Sequence, residues 1–190
     1  MTATAKDIIT LPDPRLHQKS RRIGHVDQAV TDLAQRMAEA TIDWENGREH
    51  EVGVALAAVR MGDLERVIIV RNDFDNKEDQ SFSVFINPEI VKYEGKPVEC
   101  QEGCLSVKDI YGLVKRYPKV KVKALDLKGE AVRLTATDFL AEVFQHEIDH
   151  LNGIVFVDRI DDKAKLFSIM PDGQLAPLMA DQLPLMEHIA

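Results

Sequence analysis

Apolar side chains recur at three- and four-residue steps after Asp27, at Val30, Leu33, Ala34, Met37, Thr41 and Trp44, the spacing of one helical face. Asp27 is a suitable N-cap and Asn46-Gly47 a stop, so the spacing predicts a helix between them. A Gly/Ala-rich stretch, EVGVALAAVRMGD, follows, and the pattern then shortens to strands. Val67 to Val70 is β-branched throughout, Phe82, Val84 and Ile86 alternate with serines and Phe85, and Val120, Val122 and Ala124 alternate with Lys119, Lys121 and Lys123. Lys128-Gly129 predicts a hairpin turn into Val132 to Leu134. A second helix is expected after the cap candidate Thr137, carrying Phe139, Leu140, Val143 and Phe144 inward and ending near Gly153. Ile154 to Val157 then reads as a strand. This order predicts an α+β fold with mostly antiparallel strands around the second helix, rather than the βαβ alternation of a parallel sheet. No repeat or linker interrupts the chain, so residues 1–190 are expected to form one domain. Residues 161–190 are expected to form a C-terminal arm, either a hairpin turning at Pro171-Asp172-Gly173 or an extended cover.

Composition narrows the partners. The longest stretch without a charged residue is the nine from Gln80 to Pro88, far short of the ~20 that a membrane helix needs. Lys plus Arg number 24 against 32 Asp plus Glu, a formal net charge of −8, which disfavours a nucleic-acid partner held by phosphate contacts. MTATAKDIITLPDPRLHQ lacks a basic segment followed by an apolar run, so a cytoplasmic location is expected. The two cysteines, Cys100 and Cys104, are too few for a disulfide scaffold and are better read as ligands, nucleophiles or packing residues.

The sharpest chemical signal is QHEIDH, Gln145 to His150, inside the second predicted helix. His146 and His150 are four residues apart, so both imidazoles project from one face and can share a cation. Glu147 beside them can hydrogen-bond a water on that cation without filling a coordination position, and can then shuttle its proton. A hydrolytic site needs a third protein ligand. Downstream there is only His188 besides scattered Asp; upstream, Cys104 lies in QEGCLS, in a sharp segment between predicted strands. A thiolate with two imidazoles makes a tetrahedral site with one open corner, whereas a lone cysteine is more often a small buried hydrophobe.

EGCLS at 102–106, QHEIDH followed by LNG at 145–153, and a Gly/Ala-rich block ending in LAAVR at 56–60 together resemble the signature blocks of peptide deformylases. LPDPRLHQ and INPEI add to a likeness that runs to about residue 160. The resemblance implies removal of the formyl group from the N-terminal formylmethionine of nascent polypeptides. It implies Cys104, His146 and His150 as ligands of one divalent metal, commonly Fe(II), with Zn, Ni or Co able to replace it. Glu147 would be general base and acid, and the backbone N–H of Leu105 would stabilise the oxyanion. Glu102 and Arg116 can pair to fix the cysteine segment. Gly53, Ala55, Cys100, Glu102, Gly103, Glu142 and Val143 are expected to face substrate.

The chain departs from the family pattern in three places. Ala55 replaces a usual glycine. Arg60 replaces a glutamine whose amide donates to the oxyanion; a guanidinium also donates, but it carries a permanent charge beside the metal. Glu142 stands one helical turn before His146, where the resemblance implies an apolar wall for methionine. Arg60 and Glu142 are therefore expected to form a compensating ion pair or to recognise a polar substrate together. A second reading is a diverged hydrolase of another N-formyl or amide compound, and a third is a weakly catalytic metal-binding homologue. From Asp158 to Ala190 there are three basic residues against six acidic ones, so any ribosome contact is expected to be transient and not mediated by a basic tail. A monomer is expected.

Overall fold

A computed structural model describes residues 2–48, 51–170 and 173–178 of the chain. The first long helix, α1 (Gln28–Asn46), begins where the sequence places it, with the Asp27 carboxylate accepting from the Val30 N–H at 3.3 Å. The strands that follow are β1 (Ala55–Ala57), β2 (Val67–Arg71), β3 (Phe82–Glu94), β4 (Val98–Cys104), β5 (Val107–Arg116), β6 (Lys119–Leu125) and β7 (Ala131–Thr137). Then come helix α2 (Asp138–Leu151) and the strands β8 (Leu166–Ile169) and β9 (Leu175–Pro177). They form two antiparallel sheets, one in the order β1-β2-β3-β6-β7 and the other β4-β5-β8-β9.

The apolar run of β2 follows from burial on both faces. Val67 and Ile69 join Leu33, Ala34, Met37 and Ala40 of α1, while Ile68 and Val70 join Ala141, Phe144, Ile148 and Leu151 of α2. The five-stranded sheet is thus a partition with one helix on each side. β6 is buried on one face only, so it alternates: Val120 and Val122 are buried, and Lys119 and Lys123 pair outside with Glu94 and Glu89. A third cluster, Leu16, Val107, Ile110, Val114, Phe156 and Leu166, closes the smaller sheet. His146 stacks against Phe156 of this cluster, so α2 lies between the two sheets.

Two sequence expectations need correction. Ile154 to Val157 does not form a strand: the chain turns through a 3₁₀ helix at Phe156–Arg159, with the Asp158 carboxylate accepting from the Val155 N–H at 2.7 Å. Phe139 is not inward but 45% exposed, meeting Phe74 edge-on. Thr137 does occupy the N-cap of α2, yet its hydroxyl makes no capping bond. In the expected arm, β8 and β9 form a hairpin, with Met170 donating to the Gln174 carbonyl at 2.8 Å. The predicted turn residues Pro171 and Asp172, and residues 179–190, lie outside the described residues. No helix among the described residues is long and apolar enough to cross a membrane.

Candidate metal centre

β4 and β5 make a tight hairpin whose register breaks between Gly103 and Cys104. A Cβ on Gly103 would stand 2.5 Å from Cε1 of Tyr111, so only glycine lets that ring pack against the strand. The break directs Cys104 toward α2, whose His146 and His150 lie one turn apart. The Cys104 Sγ is 3.3 Å from Nε2 of His150, which is 3.1 Å from Nε2 of His146. All three donor atoms lie within 4.8 Å of one another.

The outer side of His146 is fixed by a buried network. Its Nδ1 is 2.8 Å from Oε2 of Glu102, which leaves Nε2 to face the other donors. Arg116 donates to both Glu102 oxygens, at 2.5 and 3.0 Å, and to Asp149 at 2.5 Å, and Arg159 clasps Asp149 from the other side. Burial works to raise the Glu102 carboxyl, but His146 and then Arg116 outweigh it and hold it at about 2. The expected Glu102–Arg116 pair is therefore present, and it is buried.

The electrostatics of the three donors suit a cation. Burial opposes thiolate formation at Cys104, yet the charge of Arg60 and contact with His146 lower its pKa below the ordinary value. Burial, followed by the charges of His146 and Arg60, drives His150 well below the ordinary range, so this imidazole is neutral. At His146 burial disfavours the imidazolium, but Cys104 and Glu102 raise it to about 10. Contact with the Cys104 sulfur and Glu102 thus favours a proton on His146, and a divalent cation bound by one thiolate and two imidazoles would take the place of that proton.

Arg60 sits in a 3₁₀ turn, Ala58–Met61, directly after β1, and is 1% exposed. Its Nε donates to Ser106 Oγ at 3.1 Å and its Nη1 lies 3.5 Å from Glu147 Oε1. This corrects the expected Arg60–Glu142 pair: the carboxylate that Arg60 meets is Glu147. The Arg60 Nη2 and Glu147 Oε2 atoms are both buried without a partner. The backbone behind this pair is held by the amino-terminal segment, where Ile9 N–H donates to the Arg60 carbonyl at 2.8 Å and Leu11 N–H to the Ser106 carbonyl at 2.9 Å.

A cavity of about 560 Å³ opens onto the donors, lined by Ala55, Arg60, Glu102, Gly103, Cys104, Leu105, Glu142, Val143, His146 and Glu147, among others. Two expected substrate-facing residues are absent from this lining. Gly53 lies behind it, where a Cβ would meet Thr41 Cγ2 at 2.4 Å and where its N–H donates to Glu45 at 2.8 Å. Cys100 is buried beside Glu142 rather than at the cavity surface. Ala55 has no positive φ and lies within β1, so alanine in place of glycine is unstrained there.

The family model described as polypeptide deformylase matches residues 5–166. The chain belongs to the polypeptide deformylase family. A peptide deformylase of Thermomicrobium roseum is 46% identical over 172 residues, covering 89% of this chain and 93% of the relative. The crystal structure of a peptide deformylase from Legionella pneumophila superposes with a TM-score of 0.73 at 37% identity, covering 85% of this chain and 87% of that one. A class I type b peptide deformylase from Acinetobacter baumannii, with Met-Ala-Ser bound, gives 0.71 at 32%, covering 84% and 99%. Polypeptide deformylases are metallo-hydrolases, which agrees with the donor set.

Sequence reasoning missed Ser106, Asp149, Arg159, Glu51 and Tyr111. Asp149 was within reach, since it falls inside QHEIDH and its charge on a buried helix face demands a cation. Ser106 and the Glu51–Tyr111 hydrogen bond of 2.6 Å depend on the β4–β5 hairpin closing over the cavity, and nothing in the local sequence marks them.

Proposed function

We propose that the protein is a metal-dependent N-formyl hydrolase that releases formate from the N-terminal formylmethionine of polypeptides, acting as a monomer in the cytoplasm with at most transient ribosome contact. The observation that carries this reading is the convergence of Cys104, His146 and His150 beside Glu147 at the base of the cavity. These three residues would hold one divalent cation, Fe(II) foremost, with Zn, Ni or Co compatible with the same donors. When bound, the cation supplies Lewis-acid polarisation and lowers the pKa of water.

The chain's own residues do the rest. Glu147 takes the proton of the attacking water and passes it to the departing amine, the two halves of general base and acid work. The Leu105 backbone N–H and the Arg60 guanidinium donate to the oxygen that gains charge. Glu102, held by Arg116, keeps His146 in one tautomer. Ala55, Gly103, Glu142 and Val143 border the substrate directly, while Gly53 and Cys100 support that wall from behind. The tripeptide bound in the Acinetobacter baumannii structure supports a peptide occupant for such a cavity.

The test is formate release from formyl-Met-Ala-Ser by protein loaded anaerobically with Fe(II), with Glu147→Gln as control. Turnover by the unaltered protein that falls by about 10²–10⁴ in the variant supports the reading. Turnover no higher than that of the variant overturns it.

A further inference from the structure

One side of the larger sheet carries a charge pattern that folding alone does not favour. On β6, Val120 and Val122 face Ala141 and Phe144 of α2, so Lys119, Lys121 and Lys123 project from the other side of the sheet, each about half-exposed. Their neighbours across the ladder repeat the sign: Lys92 of β3 lies opposite Lys121, and Arg133 of β7 opposite Lys123. Like charges in directly opposed positions destabilise a sheet. Arg22 adds a sixth cation, 3.7 Å from Glu89. Against these six, the same surface offers two carboxylates among the described residues, and both are shared. Glu94 lies 2.6 Å from Lys92, 2.9 Å from Lys119 and 3.9 Å from Lys121, and Glu89 lies 3.1 Å from Lys123 as well as near Arg22. Exposed pairs of this kind contribute little, so the lysines can exchange them for a stronger partner.

The net charge of −8 disfavours phosphate contacts only as an average over the chain. Charges beyond about 8 Å are largely screened at physiological salt, so this face acts through its own surplus. We propose that the face of β3, β6 and β7 around Lys121 is a docking surface for RNA, held by the phosphate backbone. The β6 lysines recur every second residue, about 7 Å apart, in a row of compact charges that a phosphate chain can follow. RNA concentrates its charge along a line and releases condensed counterions when Lys and Arg neutralise it, a gain that scattered carboxylates on a protein partner do not return. A membrane partner calls for apolar side chains beside the cations. The β7 positions opposite the lysines are instead Thr137, Thr135 and Arg133, which suit phosphate oxygens. No residue of this face lines the cavity, and Phe139, Glu142 and Val143 of α2, which do, stand on the other side of the sheet. RNA can therefore dock while the cavity stays open.

The experiment titrates the full chain into a fluorescently labelled single-stranded RNA of mixed sequence and follows anisotropy against KCl concentration. A surplus of about four charges is expected to give a slope of about −3 in log K against log salt, so that binding weakens about 50-fold between about 50 and 200 mM KCl. Lys119→Gln, Lys121→Gln and Lys123→Gln together are expected to weaken binding by about tenfold or more and to flatten the slope to about −1. The same three positions changed to Arg are expected to keep both. Should the glutamine triple fail to fold, Lys121→Gln alone, which removes the opposition to Lys92, is expected to weaken binding several-fold. Formate release from formyl-Met-Ala-Ser is expected to be equal in all these proteins, which keeps the result separate from the hydrolase reading. RNA affinity unmoved by the glutamine substitutions, a missing salt slope, or equal affinity for poly-L-glutamate or phosphatidylglycerol vesicles overturns the proposal.

Discussion

Arg60 and Glu147 place a full positive and a full negative charge in nearly complete burial, and each retains one polar atom without a partner. Such a pair is costly to break, because removing one member strands the other charge away from water. Arg60→Leu is expected to lower unfolding stability by about 3–5 kcal/mol in urea titration, whereas Arg60→Gln, which still donates to Ser106, is expected to lose less. A second residue-scale prediction concerns Glu102. Replacing it with Gln removes the carboxylate that orients His146, and chelator competition is expected to show metal affinity weakened by about 10–100-fold. Both effects begin from side chains whose identity is plain in the sequence; the Glu102–Arg116 pairing was legible there as well, whereas the bonds of Glu102 to His146 and of Arg60 to Glu147 were not. Arg60 is visible as a substitution in LAAVR, but its pairing with Glu147 depends on a 3₁₀ turn and a helix 87 residues apart in sequence.

At the scale of elements, periodicity revealed α1, β3, β6 and α2 because each presents a defined face to a core, while β2 was marked by a β-branched run that is buried on both faces. It failed where the controlling contact is local or sits at an opening. Ile154 to Val157 has strand-like composition, but Asp158 bonds back to Val155 and winds the chain instead. Phe139 fits the inward stripe of α2, yet it lies in the helix's first turn, at the cavity's rim with Phe74. The hairpin that delivers Cys104 gives a test at this scale. Gly103→Ala forces the Tyr111 ring off the strand and is expected to destabilise the fold by about 1–3 kcal/mol. In calorimetric melting the loss is expected to shrink when Tyr111 is also replaced by Ser, since the added methyl then has space.

Across the whole molecule, the donors tie the smaller sheet to the helix that backs the larger one: Cys104 ends β4, while His146 and His150 belong to α2. Metal binding should therefore stabilise the joined layers by mass action, by about 2.7 kcal/mol at a hundredfold excess over Kd. A chelator is expected to lower the melting temperature along with activity, and restored divalent metal to recover both; a melting temperature indifferent to chelation would remove this link. The α+β order and the likeness to deformylases were legible in the sequence, because the motif blocks carry the chemistry and the patterning carries the layers. The sequence could not show that one extended strip near the amino terminus holds both the turn bearing Arg60 and the turn bearing Ser106. Ile9 and Leu11 grip those turns by their carbonyls, outside the cavity. Trimming by an aminopeptidase as far as Leu11 would then act as an inactivating event, disarming the base while leaving the metal ligands and cavity walls chemically intact.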